Sequence, residues 1–328
     1  MQATIIGAGV AGLACAVELA ERGASVEVLE RAASLERAGC SWFAGGMLAP
    51  WCERVSSPAH ICALGDEGFA WWAERYPAMV RRGTLVLAHA RDTAELKQFA
   101  RRTEHYQWLD AAGIAALEPD LEDRFEQGLF FPEEAYIDPR SALAALAERL
   151  TGLGGTIRFS TESPPAQVEA GRCVIDCTGL GARAVLTDLR GVKGEMLHVQ
   201  APDVALTRTI RVLHPRTPVY IVPRGEGRYM IGATMIESDQ ASRISVRAML
   251  ELLGAAYALH PAFGEAEIVE IGTGVRPAFP DNLPRLTRRN GTLYVNGLFR
   301  HGFLAAPALA RRAAEFVLEG REAPEVMQ

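Results

Sequence analysis

The sequence lacks the features that mark nucleic-acid-binding, zinc-binding and membrane-spanning proteins. Its 34 Lys and Arg against 40 Asp and Glu give a net charge of −6, and no basic run is present, so no cationic face for phosphate backbones is predicted. The 6 cysteines form no CxxC pair, and no metal site is expected. No uncharged apolar stretch reaches the roughly 18 residues of a membrane helix. We therefore expect neither nucleic acid nor a membrane as a partner.

The same scarcities bear on location and size. Cysteine spacing shows no disulfide framework, which is typical of a reduced, cytoplasmic protein. The apolar N-terminal residues carry three glycines in a fixed pattern and no basic leader, unlike a signal peptide. With 328 residues, of which 49% are hydrophobic and 23% charged, the chain can build one large core or two closely packed domains.

The N-terminal segment has the pattern of a strand–helix–strand unit. Residues 2–6 (QATII) are a short apolar run, typical of a buried parallel strand. Residues 10–22 carry apolar side chains at helical spacing and stop before a glycine. Residues 25–29 (SVEVL) form the second strand.

Three glycines and one acid in this unit form a dinucleotide-binding pattern. Gly7 allows a tight turn out of the strand, Gly9 lets the backbone approach a pyrophosphate, and Gly12 lets helix and strand pack closely. Glu30, about 20 residues further on, would accept hydrogen bonds from a ribose. The alternative is a glycine-rich turn with a solvated acid, which this context disfavours. The pattern does not distinguish NAD from FAD.

Two later strand ends carry glycine turns that could approach a flat cofactor. Residues 175–182 (IDCTGLGA) contain Thr178 and Gly179, and residues 293–302 (LYVNGLFRHG) contain Gly297. Each turn alone is more typical of an ordinary tight turn.

Cofactor elements thus lie at both ends of the chain, with a strand-rich block between them. We predict an α/β plus antiparallel β fold, with a discontinuous, Rossmann-like cofactor domain and a β-rich substrate domain. The predicted cofactor domain comprises 1–57, 140–190 and 270–328, and the substrate domain 58–139 and 191–269. Further helices are predicted near 58–80, 92–103, 140–150, 243–257 and 304–318.

A hairpin turn is predicted at Gly225–Gly227, between strands that include VYIVP and YMIG. The flanking Arg224 and Arg228 are expected to be solvated. Glu195 is expected to be an acid at a strand end.

Four segments carry a family resemblance: GAGVAGLACAVELAERG with Glu30, SWFAGGMLAP (41–50), VYIVPRGEGRYMIGATM (219–235), and GVRP (274–277) together with NGLFRHGFLAAP (296–307). Together they resemble the FAD-dependent D-amino acid oxidase superfamily, and within it the glycine oxidases of thiazole (thiamin) biosynthesis. The resemblance covers most of the chain and is weakest over 60–170.

The resemblance implies roles for four residues at the substrate. Arg276 is similar to the arginine that grips the substrate carboxylate, and Tyr220 to its hydroxyl partner. Met235 resembles an apolar wall over the substrate Cα, and Arg300 an arginine at the edge of the active site. Without the resemblance, an ordinary ion pair and a sheet-face aromatic would be the favoured readings of Arg276 and Tyr220.

The resemblance also implies non-covalent FAD, because the relatives that link flavin through a cysteine near GVRP have one where this chain has none beyond Cys177. His301 stands where some relatives have Asn. The residues implied near FAD are Gly7, Gly9, Gly12, Glu30, Ser41, Gly45, Gly46, Met47, Thr178, Gly179, Gly297, Arg300, His301, Gly302, Phe303 and Leu304.

The implied activity is oxidation of glycine, or of another small amino acid, to its imine. Hydride would pass to flavin N5 and O2 would be reduced to H2O2, in the service of thiamin biosynthesis by a homo-oligomer. Three alternatives stay open: an oxidase or quinone-linked dehydrogenase of D-amino or N-methyl amino acids, a non-catalytic flavin subunit, and an NAD-dependent dehydrogenase.

Overall fold

The computed structural model describes residues 1–55, 59–168, 171–214 and 218–327. The strands of this part of the chain are β1 Gln2–Ile6, β2 Ser25–Leu29, β3 Met47–Leu48, β4 Thr84–Ala88, β5 Gln107–Asp110, β6 Gln127–Phe131, β7 Ala135–Tyr136, β8 Thr156–Arg158, β9 Cys173–Asp176, β10 Arg190–Gln200, β11 Thr209–Leu213, β12 Val219–Pro223, β13 Arg228–Gly232, β14 Ile236–Glu237, β15 Glu267–Ala278, β16 Arg285–Arg289 and β17 Thr292–Asn296. The α-helices are α1 Val10–Glu21, α2 Ala59–Arg75, α3 Thr93–Ala100, α4 Ala111–Leu117, α5 Pro139–Gly152, α6 Val246–Leu259 and α7 Gly302–Glu319.

Apolar strands from both ends of the sequence build a six-stranded sheet in the order β16-β17-β9-β1-β2-β8. All neighbours run parallel except β16 and β17, which form an antiparallel pair. The predicted strand–helix–strand unit lies at its centre as β1, α1 and β2, and this prediction is confirmed. The α/β part of the predicted fold is therefore present, with N-terminal and C-terminal strands in one sheet.

Helices α1, α2, α5 and α7 supply apolar side chains to the core around this sheet. α1 is buried from Val10 to Ala20, because its apolar residues leave no polar face. Trp71 Nε1 of α2 donates to Glu18 at 2.5 Å, and Trp72 Nε1 donates to the Phe303 carbonyl at 2.7 Å. The indole rings therefore fasten α2 to both α1 and α7.

Within the described residues, nine strands form the second sheet, ordered β14-β10-β13-β12-β11-β4-β6-β5, with β15 also paired to β10. Its pairs are antiparallel except β4 with β11. β10 pairs with β15 along its whole length from Arg190 to Gln200. Helix α6 closes the core of this sheet. The predicted β-rich block is thus confirmed.

The domain division remains a prediction, and two observations bear on it. Its first boundary, between 57 and 58, lies outside the described residues. α2, which the prediction gives to the substrate domain, contributes Trp71 and Trp72 to the core of the six-stranded sheet.

Most predicted helices are found with shifted ends. Asp138 caps α5 by accepting from Ser141 N at 2.8 Å, with Pro139 in the first turn, as the Asp-Pro pair predicts. The helix predicted over 58–80 ends at Arg75.

No helix among the described residues is long and apolar enough to cross a membrane.

Candidate active site

A pocket opens where the start of α7 faces β10, β12 and β15 of the larger sheet. The segment 40–47 forms one wall. The predicted site residues that line it are Ser41, Gly45, Gly46, Met47, Tyr220, Met235, Arg276, Arg300, His301, Gly302, Phe303 and Leu304. The others, Gly7, Gly9, Gly12, Glu30, Thr178, Gly179 and Gly297, lie outside this lining.

Of the residues outside the lining, Gly7, Gly9, Gly12 and Glu30 lie at the start of α1, and Thr178 lies beside Gly7. A Cβ on Gly12 would lie 1.9 Å from the Gly7 carbonyl oxygen, so helix and turn are in backbone contact there. Glu30 is buried, and its carboxylate accepts from Ala8 N and Ala32 N, each at 2.8 Å. The acid therefore holds the glycine turn in shape, in addition to any bond it makes to a ribose.

The two later turns meet at the same edge of the sheet. Asn296 Nδ2 donates to the Gly179 carbonyl at 2.9 Å, which ties the turn at Gly297 to the turn at Thr178. Thr178 is itself fixed, since its N–H and hydroxyl both donate to Asp176 Oδ1, at 2.9 and 2.7 Å. The turns predicted separately from sequence thus form one assembly at the carboxyl ends of parallel strands, where α/β sheets bind ligands.

Two helix N-termini converge on the pocket, and neither has a capping side chain on its N-cap residue or an acid in its first turn. In α1 the first N–H, that of Val10, donates to Ser41 Oγ at 3.2 Å, and the dipole end still faces the pocket. The two N-termini meet where a Cβ on Gly302 of α7 would lie 3.5 Å from Val10 Cγ1 of α1. Free N–H groups and the positive ends of two helix dipoles are therefore available to an anionic or carbonyl-bearing group. A dinucleotide with a pyrophosphate and a flat ring fits this pair of donors.

The larger sheet presents a guanidinium and a phenol to the pocket. Arg276 on β15 donates from Nη1 to the Thr234 carbonyl at 3.1 Å, which leaves most of its five N–H groups for a ligand. Tyr220 on β12 lies against Gly45, where a Cβ would come within 2.7 Å of Tyr220 Cε2. Met235 lines the same pocket with 53% of its surface exposed.

Comparison with known proteins agrees with this geometry. The chain matches the profile of the FAD dependent oxidoreductases (DAO) over residues 2–316. It belongs to that family. It is 52% identical over 326 residues to a Rhizobium etli protein with the provisional name thiamine biosynthesis oxidoreductase ThiO, covering 99% of each chain.

Solved structures extend the likeness to three dimensions. The crystal structure of glycine oxidase from Geobacillus kaustophilus superposes with a TM-score of 0.82 at 27% identity, covering 98% of this chain and 95% of that chain. Glycine oxidase from Bacillus cereus shares the fold with a TM-score of 0.84 at 22% identity, covering 98% and 96%. The cofactor of this DAO-family chain is therefore FAD, and the α1 and α7 N-termini are the donors that fit it.

A buried ionic cluster on the far side of the pocket was not predicted from sequence. Glu53 accepts from Arg211 Nη1 at 2.7 Å and from Arg300 Nη2 at 3.1 Å. Burial alone would raise the pKa of Glu53, but the charges of Arg300 and Arg211 lower it to about 2. Arg300 also reaches Met235, with 3.6 Å between Nη1 and Sδ. Glu53 and Arg211 therefore belong to the site alongside the predicted Arg300.

His301 lies beside this cluster, fully buried at the start of α7. Burial lowers its pKa to about 4. The imidazole is therefore neutral at physiological pH and adds no charge near the cofactor.

Arg224 is not solvated, and the prediction for it is wrong. Its side chain is only 5% exposed, and its Nη2 donates to the Gly45 carbonyl at 2.7 Å. An ion pair with Asp138, 3.3 Å from its Nε, holds the guanidinium there. The prediction for Arg228 is confirmed, since its side chain is 51% exposed. The hairpin points only one of the two arginines at solvent, because Arg224 follows directly on a buried strand.

Glu195 is also more than an acid at a strand end. It lies within β10, fully buried, and accepts from Lys193 Nζ at 2.7 Å and from Ser245 N at 3.0 Å. Its backbone N–H donates to Thr234 Oγ1 at 3.0 Å. This network fixes Thr234, whose carbonyl in turn receives Arg276.

Proposed function

We propose that this protein oxidises the amine of a small amino acid, with glycine as the leading substrate, in the cytoplasm and in the service of thiamin biosynthesis. The observation that carries the proposal is the placement of Arg276 and Tyr220 in one pocket with the uncapped start of α7. The names of the similar proteins, ThiO and glycine oxidase, support the same substrate class.

Arg276 and Tyr220 would bind and orient the substrate carboxylate. A guanidinium binds a carboxylate in a planar, two-pronged geometry, which fixes direction as well as position. Arg276 is suited to this because Thr234 holds one of its nitrogens and the pocket receives the others. Tyr220 adds one donor on a rigid ring.

The wall at Gly45 and Gly46 would keep the space over the substrate small. Gly46 has φ +69, and a Cβ there would lie 2.1 Å from the Ile137 carbonyl oxygen. A Cβ on Gly45 would collide with Tyr220. Both positions therefore exclude side chains, and the wall remains backbone.

FAD, when bound, would supply the electron acceptor for hydride loss from the amine-bearing carbon, with O2 as the final oxidant and H2O2 as its product. The substrate ammonium gives up one proton to solvent, and loss of the hydride leaves the iminium form of the acid. Among the described residues lining the pocket the only carboxylate is Glu53, which is engaged with two guanidinium groups. The residues of this chain therefore act by orientation rather than as a base.

The visible spectrum of the purified protein, recorded anaerobically before and after excess glycine, tests the proposal. We expect a flavin spectrum that bleaches, and H2O2 when air returns. Arg276→Gln is the matched variant: it should keep the flavin spectrum and lose bleaching at the same glycine concentration. Bleaching by sarcosine or larger D-amino acids but not by glycine would retain amine oxidation and reject the substrate. A flavin spectrum that no amino acid bleaches would reject the enzyme.

A further inference from the structure

The pocket carries positive charge at two places, and at the second of them a carboxylate lies among the guanidinium groups. Three guanidinium groups line it, those of Arg276, Arg211 and Arg300. If Arg276 takes the substrate carboxylate, as the proposed function requires, the other two form a second positive pole. Among the described lining residues, Glu53 is the one carboxylate there.

Glu53 is placed between the two arginines of this pole. Its Oε1 lies 2.7 Å from Arg211 Nη1 and its Oε2 lies 3.1 Å from Arg300 Nη2. The side chains of Glu53 and Arg211 are 9% and 8% exposed, and that of Arg300 is 16% exposed. Charge pairs so shielded from water interact strongly, so Glu53 holds both guanidiniums in place.

The neighbouring Glu134 and His301 add no charge to the second pole. Burial raises the pKa of Glu134 to about 8, and burial lowers the pKa of His301 to about 4. Both are therefore predominantly neutral at physiological pH. The pole has two positive charges and one negative charge, and the negative charge is that of Glu53.

Arg276 and the second pole both contact the short chain segment formed by Thr234 and Met235. Arg276 Nη1 donates to the Thr234 carbonyl at 3.1 Å, and Arg300 Nη1 lies 3.6 Å from the sulfur of the next residue, Met235. A substrate held by Arg276 would thus have the Arg300–Glu53 pair within the same pocket.

We propose that Glu53 is a specificity-determining residue that weakens the binding of amino acids with a second carboxylate. It does so in two ways. It engages the guanidiniums that would otherwise bind a second acidic group, and its own charge repels such a group. Because Glu53 offsets one of the two positive charges of the pole, it lowers the affinity for a second carboxylate through charge rather than through bulk.

Binding of acetate and malonate to the FAD-loaded protein, followed through perturbation of the flavin spectrum, tests this without turnover. In Glu53→Gln the ratio of malonate to acetate affinity should rise at least about tenfold, whereas Glu53→Asp, which keeps the charge, should rise much less. The kcat/KM ratio of iminodiacetate or D-aspartate to glycine should move in the same direction.

A second variant keeps the proposal falsifiable if Glu53→Gln fails to fold or to retain FAD. Arg300→Met leaves Glu53 opposed by Arg211 alone. It should lower the ratio of malonate to acetate affinity below that of the unsubstituted protein. The proposal is overturned if neither variant changes this ratio, or if Glu53→Gln lowers it with its flavin spectrum intact. Failure of the proposed function would show instead as absent bleaching with glycine, while the binding ratios stay measurable.

Discussion

Gly194→Ala should weaken substrate binding by displacing the guanidinium of Arg276. A Cβ at position 194 would lie 2.3 Å from Arg276 Nη2, 2.5 Å from Cζ and 2.6 Å from Nη1. Non-bonded atoms prefer separations of about 3.5 Å or more. The guanidinium must therefore move by roughly 1 Å, which its flexible stem permits.

The size of the effect follows from the interaction that is lost. Hydrogen bonds to charged groups contribute about 1.5–3 kcal/mol, and about 1.4 kcal/mol corresponds to tenfold in affinity. We therefore expect the Kd for acetate and the KM for glycine to rise by roughly 10- to 150-fold. FAD content should not change, because the three atoms nearest to a Cβ on Gly194 all belong to the Arg276 guanidinium.

Titration of the flavin spectrum with acetate and steady-state kinetics with glycine measure this effect. Gly254→Ala is the control, because a Cβ on this α6 residue meets nothing within 4 Å and alanine is a better helix former. Unchanged acetate affinity in Gly194→Ala, with FAD retained, would refute the view that the guanidinium of Arg276 must occupy its present position.

Two further predictions concern the cofactor and stability. Gly12→Ala should be purified without FAD, because its Cβ would lie 1.9 Å from the Gly7 carbonyl oxygen and a backbone atom cannot move aside as a side chain can. Absorbance at flavin wavelengths measures the FAD content, and a yellow Gly12→Ala protein would contradict the prediction. Burial raises the pKa of Glu134 to about 8, from the ordinary value of 4.5, so its protonation stabilises the fold fully below about pH 4.5 and this contribution is lost as pH rises through 8. Relative to the unsubstituted protein, the Tm of Glu134→Gln should therefore rise between about pH 5 and about pH 9, and a pH-independent difference in Tm would reject the assignment.

The parts of the site predicted from sequence are those set by consecutive residues. The turn at Gly7, the helix α1 and the acid at Glu30 follow one another within a single strand–helix–strand unit, so their pattern alone fixes their relation. The turn at Gly297 is recognisable for the same reason. That these turns lie close to Thr178 could not be predicted from hydrophobic periodicity, because their proximity depends on the pairing of β9 with β1 and β17.

The parts that were missed depend on partners far apart in the chain. Glu53 and Arg211 are separated by 158 residues, and β11, which carries Arg211, lies beside β4 through a parallel pairing that no local pattern indicates. Arg224 was misjudged because a turn residue is usually solvated, whereas Asp138 and the Gly45 carbonyl draw this one inward. A charged residue within an apolar stretch, such as Glu53 after LAPWC, is the one signal in the sequence that could have directed attention to the cluster.

The joining of Val10 and Gly302 in one pocket wall has a consequence for synthesis of the protein. Translation delivers the glycine turn first and residues 299–304 almost 300 residues later. Until that last segment leaves the ribosome, the donors of α7 are missing and Trp72 lacks the Phe303 carbonyl to which it donates. Nascent chains must therefore wait for their C-terminal segment before they can retain flavin, so cofactor capture reports that residues 299–304 have left the ribosome and folded.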